Sequence, residues 1–219
     1  MALFSAFLVA CGDEKETSAP DPAQLLQRSI AATRDVKTFH FKLSHENGAT
    51  PMPLGLQLTN AEGDVAVPDR LAADVRAKAS SITASLKVVS IGDRTWITNP
   101  FTRRWQQLPN ASLRDIADPA RLVTSVLGGL TQPAYAGTEE VEGTQTYHLT
   151  STVDAAKLAG ALPGEPGNVA KVDLWLGRSD SLPRRVKLSG RLAASEPENI
   201  VRDIYLSKFN AAVDIQPPE

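Results

Sequence analysis

The chain has 219 residues but only one cysteine, Cys11, so no internal disulfide can form, and a thiolate-based zinc site lacks the sulfur it needs. Histidine is nearly as scarce. Of the three present, His40 and His45 lie five apart in a stretch that reads as extended, which places them on opposite faces and argues against a metal pair. Charge of one sign is also missing. With 23 Lys and Arg against 25 Asp and Glu, no global field recruits nucleic acid or an anionic membrane surface. Aromatics are sparse at 5%, and no apolar run approaches the ~20 residues that a spanning helix requires. Catalytic signatures are absent as well: there is no Gly-x-Ser-x-Gly, no Walker-type loop and no Gly-x-Gly-x-x-Gly. The nearest candidate, "LGGLTQ" at 127–132, lacks the lysine of a phosphate loop. Glu139, Glu140 and Glu142 fall at a strand and turn and read as a solvated acidic edge. These absences point to a non-enzyme without a metal or cofactor, and to one domain built from many short elements punctuated by 14 glycines and 15 prolines.

What is present begins at the amino terminus. Residues 2–10 are apolar except Ser5, a length that suits the centre of a secretory signal. No Lys or Arg precedes Lys15, so the segment reads as a short or truncated signal. It ends Leu8-Val9-Ala10-Cys11-Gly12, which resembles the bacterial lipobox, in which the peptide is cut before Cys and the sulfur receives a diacylglycerol. Cys11 is then the lipid attachment site, since one chain anchors weakly and two or more on one residue anchor firmly. The alternative reading is an ordinary buried segment with Cys11 as a small hydrophobe. Asp13–Pro22, charged and proline-punctuated with no large apolar side chain, has the composition of a flexible tether. The expected organisation is a signal over 1–10, a tether over 11–21 and a domain over 22–219.

Within that domain, "DPAQLLQRSIAATRDVK" offers Asp21 as N-cap and Pro22 in the first turn of an amphipathic helix over about 22–35. The period then switches from 3.6 to 2. "TFHFKLSHE" alternates Phe39, Phe41 and Leu43 with His40, Lys42 and Ser44. Alternation recurs at Leu54, Leu56 and Leu58, at Leu71, Ala73, Val75 and Ala77, and at Ile82, Ala84, Leu86 and Val88. Short strands carry Trp96 and Trp105. A second helix, "DPARLVTSVLGGL", lines up Leu122, Val123, Val126, Leu127 and Leu130. Further strands follow, with a hairpin over "VDLWLGRSDSLPRRVKLSG". The predicted class is α+β: a single curved antiparallel sheet of about ten strands with two or three helices against one face.

Two such helices each cover two or three strands, so part of the oily face is left over. It either closes on itself or lines a hydrophobic cavity. Gly55, Ala73, Ala77 and Ala84 leave volume in the stripes, although alternation of large and small is also how filled cores interdigitate. Cavity-lining candidates are Leu54, Leu56, Leu58, Leu71, Ala73, Val75, Ile82, Ala84 and Leu86 from the strands, with Val126, Leu127 and Leu130 from the helix.

The lipobox-like Leu8 to Cys11, "VVSIGDRTWITNP", "GTQTYHLTSTVD", "VDLWLGRSDSLPRRVKLSG" and the closing "IYLSKFNAAVDIQPP" together resemble the LppX/LprA/LprF/LprG family of mycobacterial lipoproteins, over residues 22–218. The resemblance implies a half-barrel wrapped around helices, similar to the carriers LolA and LolB, with a hydrophobic cavity. It also implies binding of acylated lipid or glycolipid as cargo and its carriage from the plasma membrane toward the envelope. The signal and tether place the domain at the extracytoplasmic face, where a monomer is expected, with a membrane transporter as a candidate partner. The chain departs from that pattern in its short, uncharged signal and in a Pro/Gly-rich insert at 162–168. Two other readings remain open, an envelope sensor or adaptor that binds a protein partner and a lipoprotein chaperone. Arg103-Arg104 and Arg184-Arg185 read as solvated charges or as contacts for lipid phosphates or a partner's acids. Trp96, Trp105 and Trp175 read as rim and core aromatics.

Overall fold

The computed structural model describes residues 19–51, 55–80, 82–109, 119–162 and 164–219. Helix α1, Pro22–Arg34, begins where the Asp21 carboxylate accepts the Ala23 N–H at 2.9 Å, with Pro22 in a first turn that needs no amide there. Its buried stripe is Leu25, Leu26 and Ser29. The strands that follow are β1 (Thr38–Glu46), β2 (Thr50–Pro51), β3 (Gln57–Ala66), β4 (Arg70–Ala79), β5 (Ile82–Ile91), β6 (Arg94–Thr98) and β7 (Trp105–Leu108). After helix α2, Pro119–Gly129, come β8 (Leu130–Val141) and β9 (Thr144–Asp154), then a 3₁₀ turn at Ala155–Leu158 and finally β10 (Val169–Gly177), β11 (Pro183–Ser189) and β12 (Val201–Ser207).

All pairings in the sheet are antiparallel, in the order β7-β6-β5-β4-β3-β1-β12-β11-β10-β9-β8, with β2 attached to β3. Two meanders therefore meet at one seam, where β1 pairs with β12 as well as β3. The ends, β7 and β8, do not pair, so the sheet stays an open half-barrel. Among the described residues twelve strands replace the expected ten or so, the two-residue β2 among them. The α+β class, the single sheet and the helices on one face are as the alternation predicts.

Strong curvature needs close strand approach, and Gly63 supplies one such point. A Cβ there would collide with the Ala72 carbonyl oxygen and sit 2.6 Å from Ala73 Cα, so no larger residue fits. The concave face carries the core: Phe39, Phe41, Leu71, Leu149, Leu174 and Leu188 are all buried. α2 packs on α1 and on the 3₁₀ turn, and α1 also reaches β8. Helix α2 gives way directly to β8, whose first residue is Leu130. Leu130 is thus a strand residue, because Gly128-Gly129 ends the helix one position earlier than its apolar spacing suggests.

Candidate functional site

Under the N-terminal half of α2 lies a seam whose lining, among the described residues, is entirely apolar. Phe41, Leu43, Leu58, Ala73, Val75 and Ile204 belong to the sheet, Pro119 and Leu122 to α2, and Ala161 and Leu162 to the segment after the 3₁₀ turn. Its free volume is about 60 Å³. A second crevice of about 190 Å³ opens on the other side of α2, between Ala120 and Val123 and the sheet residues Phe39 and Leu206, with Phe209 at its edge. Drug-sized ligands occupy roughly 300–1,000 Å³. Each of these two apolar spaces, one on either side of the helix, is smaller than that among the described residues.

The sequence candidates distribute unevenly over this geometry. Leu58, Leu71, Ala73 and Val75 line the first seam. Leu56 is half-buried and packs against the core, and Leu86 is buried one strand further out. Ala84 is half-buried opposite Ala77. Val126 and Leu127 are fully buried between α2 and its neighbours, one turn beyond the seam. Leu130 is half-buried at the start of β8. Ile82 does not line any interior space: it is 58% exposed at the β4–β5 tip, where the alternating stripe runs past the last strand able to cover it. Cys11 and Leu54 lie outside the described residues.

Sequence reasoning missed a polar cluster that adjoins the seam. Arg202, on β12, is 1% exposed and hydrogen-bonded through Nη2 to Glu196 Oε1. Glu196 Oε2 in turn accepts the Leu192 N–H at 2.8 Å. Arg202 Nε–H donates to Thr50 Oγ1 at 3.2 Å, and Thr50 Oγ1 lies 2.8 Å from His45 Nε2. Because the other ring nitrogen, Nδ1, faces the Thr59 carbonyl at 3.0 Å, it must donate, which leaves Nε2 to accept from the Thr50 hydroxyl. Burial lowers the His45 pKa to about 4, against an opposing contribution from the Thr59 carbonyl. Burial likewise lowers the Arg202 pKa, with Glu196 opposing. In the sequence, Arg202 occupies an apolar-face position two residues before Ile204 and four before Leu206, and that misplaced charge is the signal that could have found it. The Pro/Gly-rich insert is tied into the same corner: the Glu165 N–H donates to Leu192 O at 2.8 Å and Asn168 Nδ2 to the same oxygen at 3.1 Å.

On the convex face, a row in cross-strand register runs His148, Trp175, Arg185, Tyr205, Lys42, Glu62. The His148 ring stacks on Trp175 at 4.4 Å and 9°, and the Arg185 guanidinium lies over both Trp175 and Tyr205. Trp175 Nε1–H donates to Glu139 at 2.9 Å, which lowers the Glu139 pKa, and Arg185 holds Asp203 through two hydrogen bonds of 2.8 and 2.6 Å, which raise the Arg185 pKa. Trp175 is thus consumed by structure. Among the described residues no group of three His, Cys, Asp or Glu is placed to hold a metal, and no helix is long and apolar enough to cross a membrane.

An open antiparallel half-barrel that encloses helices on an apolar concave face is the architecture of LprF from Mycobacterium bovis, with a TM-score of 0.72 over 91% of this chain and 98% of that one, at 19% identity. LppX of Mycobacterium tuberculosis shares it with a TM-score of 0.62, covering 90% of this chain and 100% of that one at 22% identity. The sequence is also 24% identical to LprF of Mycobacterium tuberculosis, a proposed diacylated glycolipid transporter by its name, over 99% of this chain and 88% of that protein. Residues 21–215 match the LppX_LprAFG lipoprotein family model, and the chain belongs to that family.

Proposed function

We propose that the chain is a membrane-anchored envelope lipoprotein that binds an acylated lipid or glycolipid between its sheet and α2, and carries it from the plasma membrane outward. The observation that carries this reading is the seam under α2, whose lining among the described residues has no polar side chain. Each buried CH₂ contributes about 0.8 kcal/mol, so such a surface holds an acyl chain without specific polar contacts. Family membership and the name of the LprF relative support the same class of cargo.

The seam is too narrow for an acyl chain as it stands, so loading requires α2 and the 155–162 segment to lift away from β1, β3 and β4. That movement exposes the second crevice to the first, and the two then form one channel along α2. Cys11 supplies the anchor and 11–21 the tether in this reading. The test is solvent extraction and lipid analysis of protein purified from its own membrane. Stoichiometric acylglycerol or glycolipid, distinct from the anchor, is expected; an empty protein overturns the carrier reading. Separately, Cys11→Ser is expected to abolish the acyl-dependent mobility shift on gels, and an unchanged shift removes the anchor assignment.

A further inference from the structure

Charge is balanced over the whole chain but not over one corner of it. Between Val75 and Pro109 the only carboxylate is Asp93, and it lies in the β5–β6 turn at the far end of the sheet. At the near end, where the β4–β5 hairpin and the β6–β7 loop project, stand Arg76, Lys78, Arg103 and Arg104, all exposed and none ion-paired among the described residues. Arg76, Ser85 and Arg103 line one open surface groove, so cations from the strand and from the loop share a surface. Three acids line that groove: Glu62 is engaged with Lys42 at 3.5 Å and His40 at 3.2 Å, Asp74 with Lys87 at 3.8 Å, and Glu142 reaches it from the β8–β9 turn in the other meander. By contrast, Arg191, at the same end of the other meander, faces Glu198 at 3.6 Å.

Among the described residues the same two tips carry two of the four exposed large apolar side chains, the others being Val67 and Val169. Phe101 is 81% exposed and Ile82 58% exposed. The Phe101 loop is built rather than slack: Asn99 Oδ1 accepts the N–H groups of Phe101 at 2.9 Å and Thr102 at 3.0 Å, and the Asn99 and Arg103 backbones bond back across the loop. Among the described residues this ring, close in sequence to two arginines, stays 81% exposed. It matches an interface where apolar groups enter the headgroup region and cations meet phosphate.

We propose that this end of β4–β7 is a membrane-contact surface for an anionic bilayer, with Phe101 as the inserted wedge and Arg76, Lys78, Arg103 and Arg104 facing lipid phosphates. The surface is independent of the Cys11 anchor and of whether the seam holds lipid. It orients the tethered domain instead of merely retaining it, by setting the β4–β7 end against the headgroups.

The test uses the full chain carrying Cys11→Ser, so that acylation does not hide the surface, with sedimentation on phosphatidylcholine vesicles with and without phosphatidylglycerol. Binding that requires phosphatidylglycerol and falls with salt is expected. Arg103→Gln with Arg104→Gln should weaken it about tenfold or more, from the attraction of each cation near an anionic surface. Phe101→Ser should weaken binding at high salt, where the electrostatic part is screened. Arg94→Gln with Arg178→Gln, exposed cations at the opposite end, should leave it unchanged. Equal binding to neutral vesicles, parental binding by the tip variants, or an equal loss in the opposite-end variant overturns the proposal, as does an absence of vesicle binding with capture of an acidic protein instead.

Discussion

The two meanders face the helices with different side chains. On β9–β12 the concave row includes Leu149, Val153, Leu174, Val186 and Leu188, all 0 or 1% exposed, while the convex row is locked by stacked rings and a two-bonded Arg185–Asp203 pair. On β3 and β4 the concave row interleaves Ala61, Ala73 and Ala77 with Leu58, Leu71 and Val75, and the convex face carries carboxylate ion pairs without stacked rings: Glu62 and Asp64 with His40, Glu62 with Lys42, and Asp74 with Lys87. Large side chains pack closely along the middle of the first half, where the second crevice only borders Pro183 and Leu206, whereas alanines line the seam on the second. One half is thus packed with large side chains and the other with small ones beside the seam, and the second carries the unpaired basic end.

The joint between them is the Glu196–Arg202 pair, and breaking it gives the largest effect. Glu196→Ala leaves a buried guanidinium without a counter-charge and should cost about 3–5 kcal/mol in urea unfolding. A contrast between the halves comes next. Leu174→Ala should cost ~2–5 kcal/mol by leaving a cavity, while Ala73→Leu, which fills the seam, should cost about 1 kcal/mol or less. If both cost the same, the halves do not differ in packing.

Acid sharpens the view of the joint. His45 is lowered from 6.5 to about 4 in the folded state, so the unfolded chain binds its proton more readily. The stability it contributes is present above pH 6.5 and lost as pH falls toward 4, by roughly 2–3 kcal/mol. Protonation also turns Nε2 into a donor facing the Thr50 hydroxyl, which already accepts from Arg202. His45→Gln should flatten this part of the pH–stability curve. The smallest effect separates the convex faces: Arg185→Ala should cost ~1–2 kcal/mol through its two hydrogen bonds and ring contacts, and Lys87→Ala less than about 0.5 kcal/mol.

Much of the sheet was legible because a half-buried antiparallel strand repeats every two residues and its turns are short. Phe39 and Phe41, Leu71 to Ala77 and the Asp180 hairpin declare themselves that way. Leu130 and Ile82 were harder, since apolar spacing continues past the end of a helix and past the edge of a covered face, and spacing alone does not record where a neighbour stops. The seam was legible in Leu58, Leu71, Ala73 and Val75, but its narrowness was not, because helix position along a sheet is set by tertiary packing. The His45–Thr50–Arg202–Glu196 cluster joins residues more than 150 positions apart, and only the closure of β12 onto β1 brings them together.

Native mass spectrometry of the protein released from its own membrane, run beside the Ala73→Leu variant, tests lipid binding in the seam most directly. The expected result is a stoichiometric lipid adduct, distinct from any covalently attached acyl group, in the parent, with a large loss of that adduct in the variant and no loss of folded protein. An adduct of equal occupancy in both, or none in either, contradicts it.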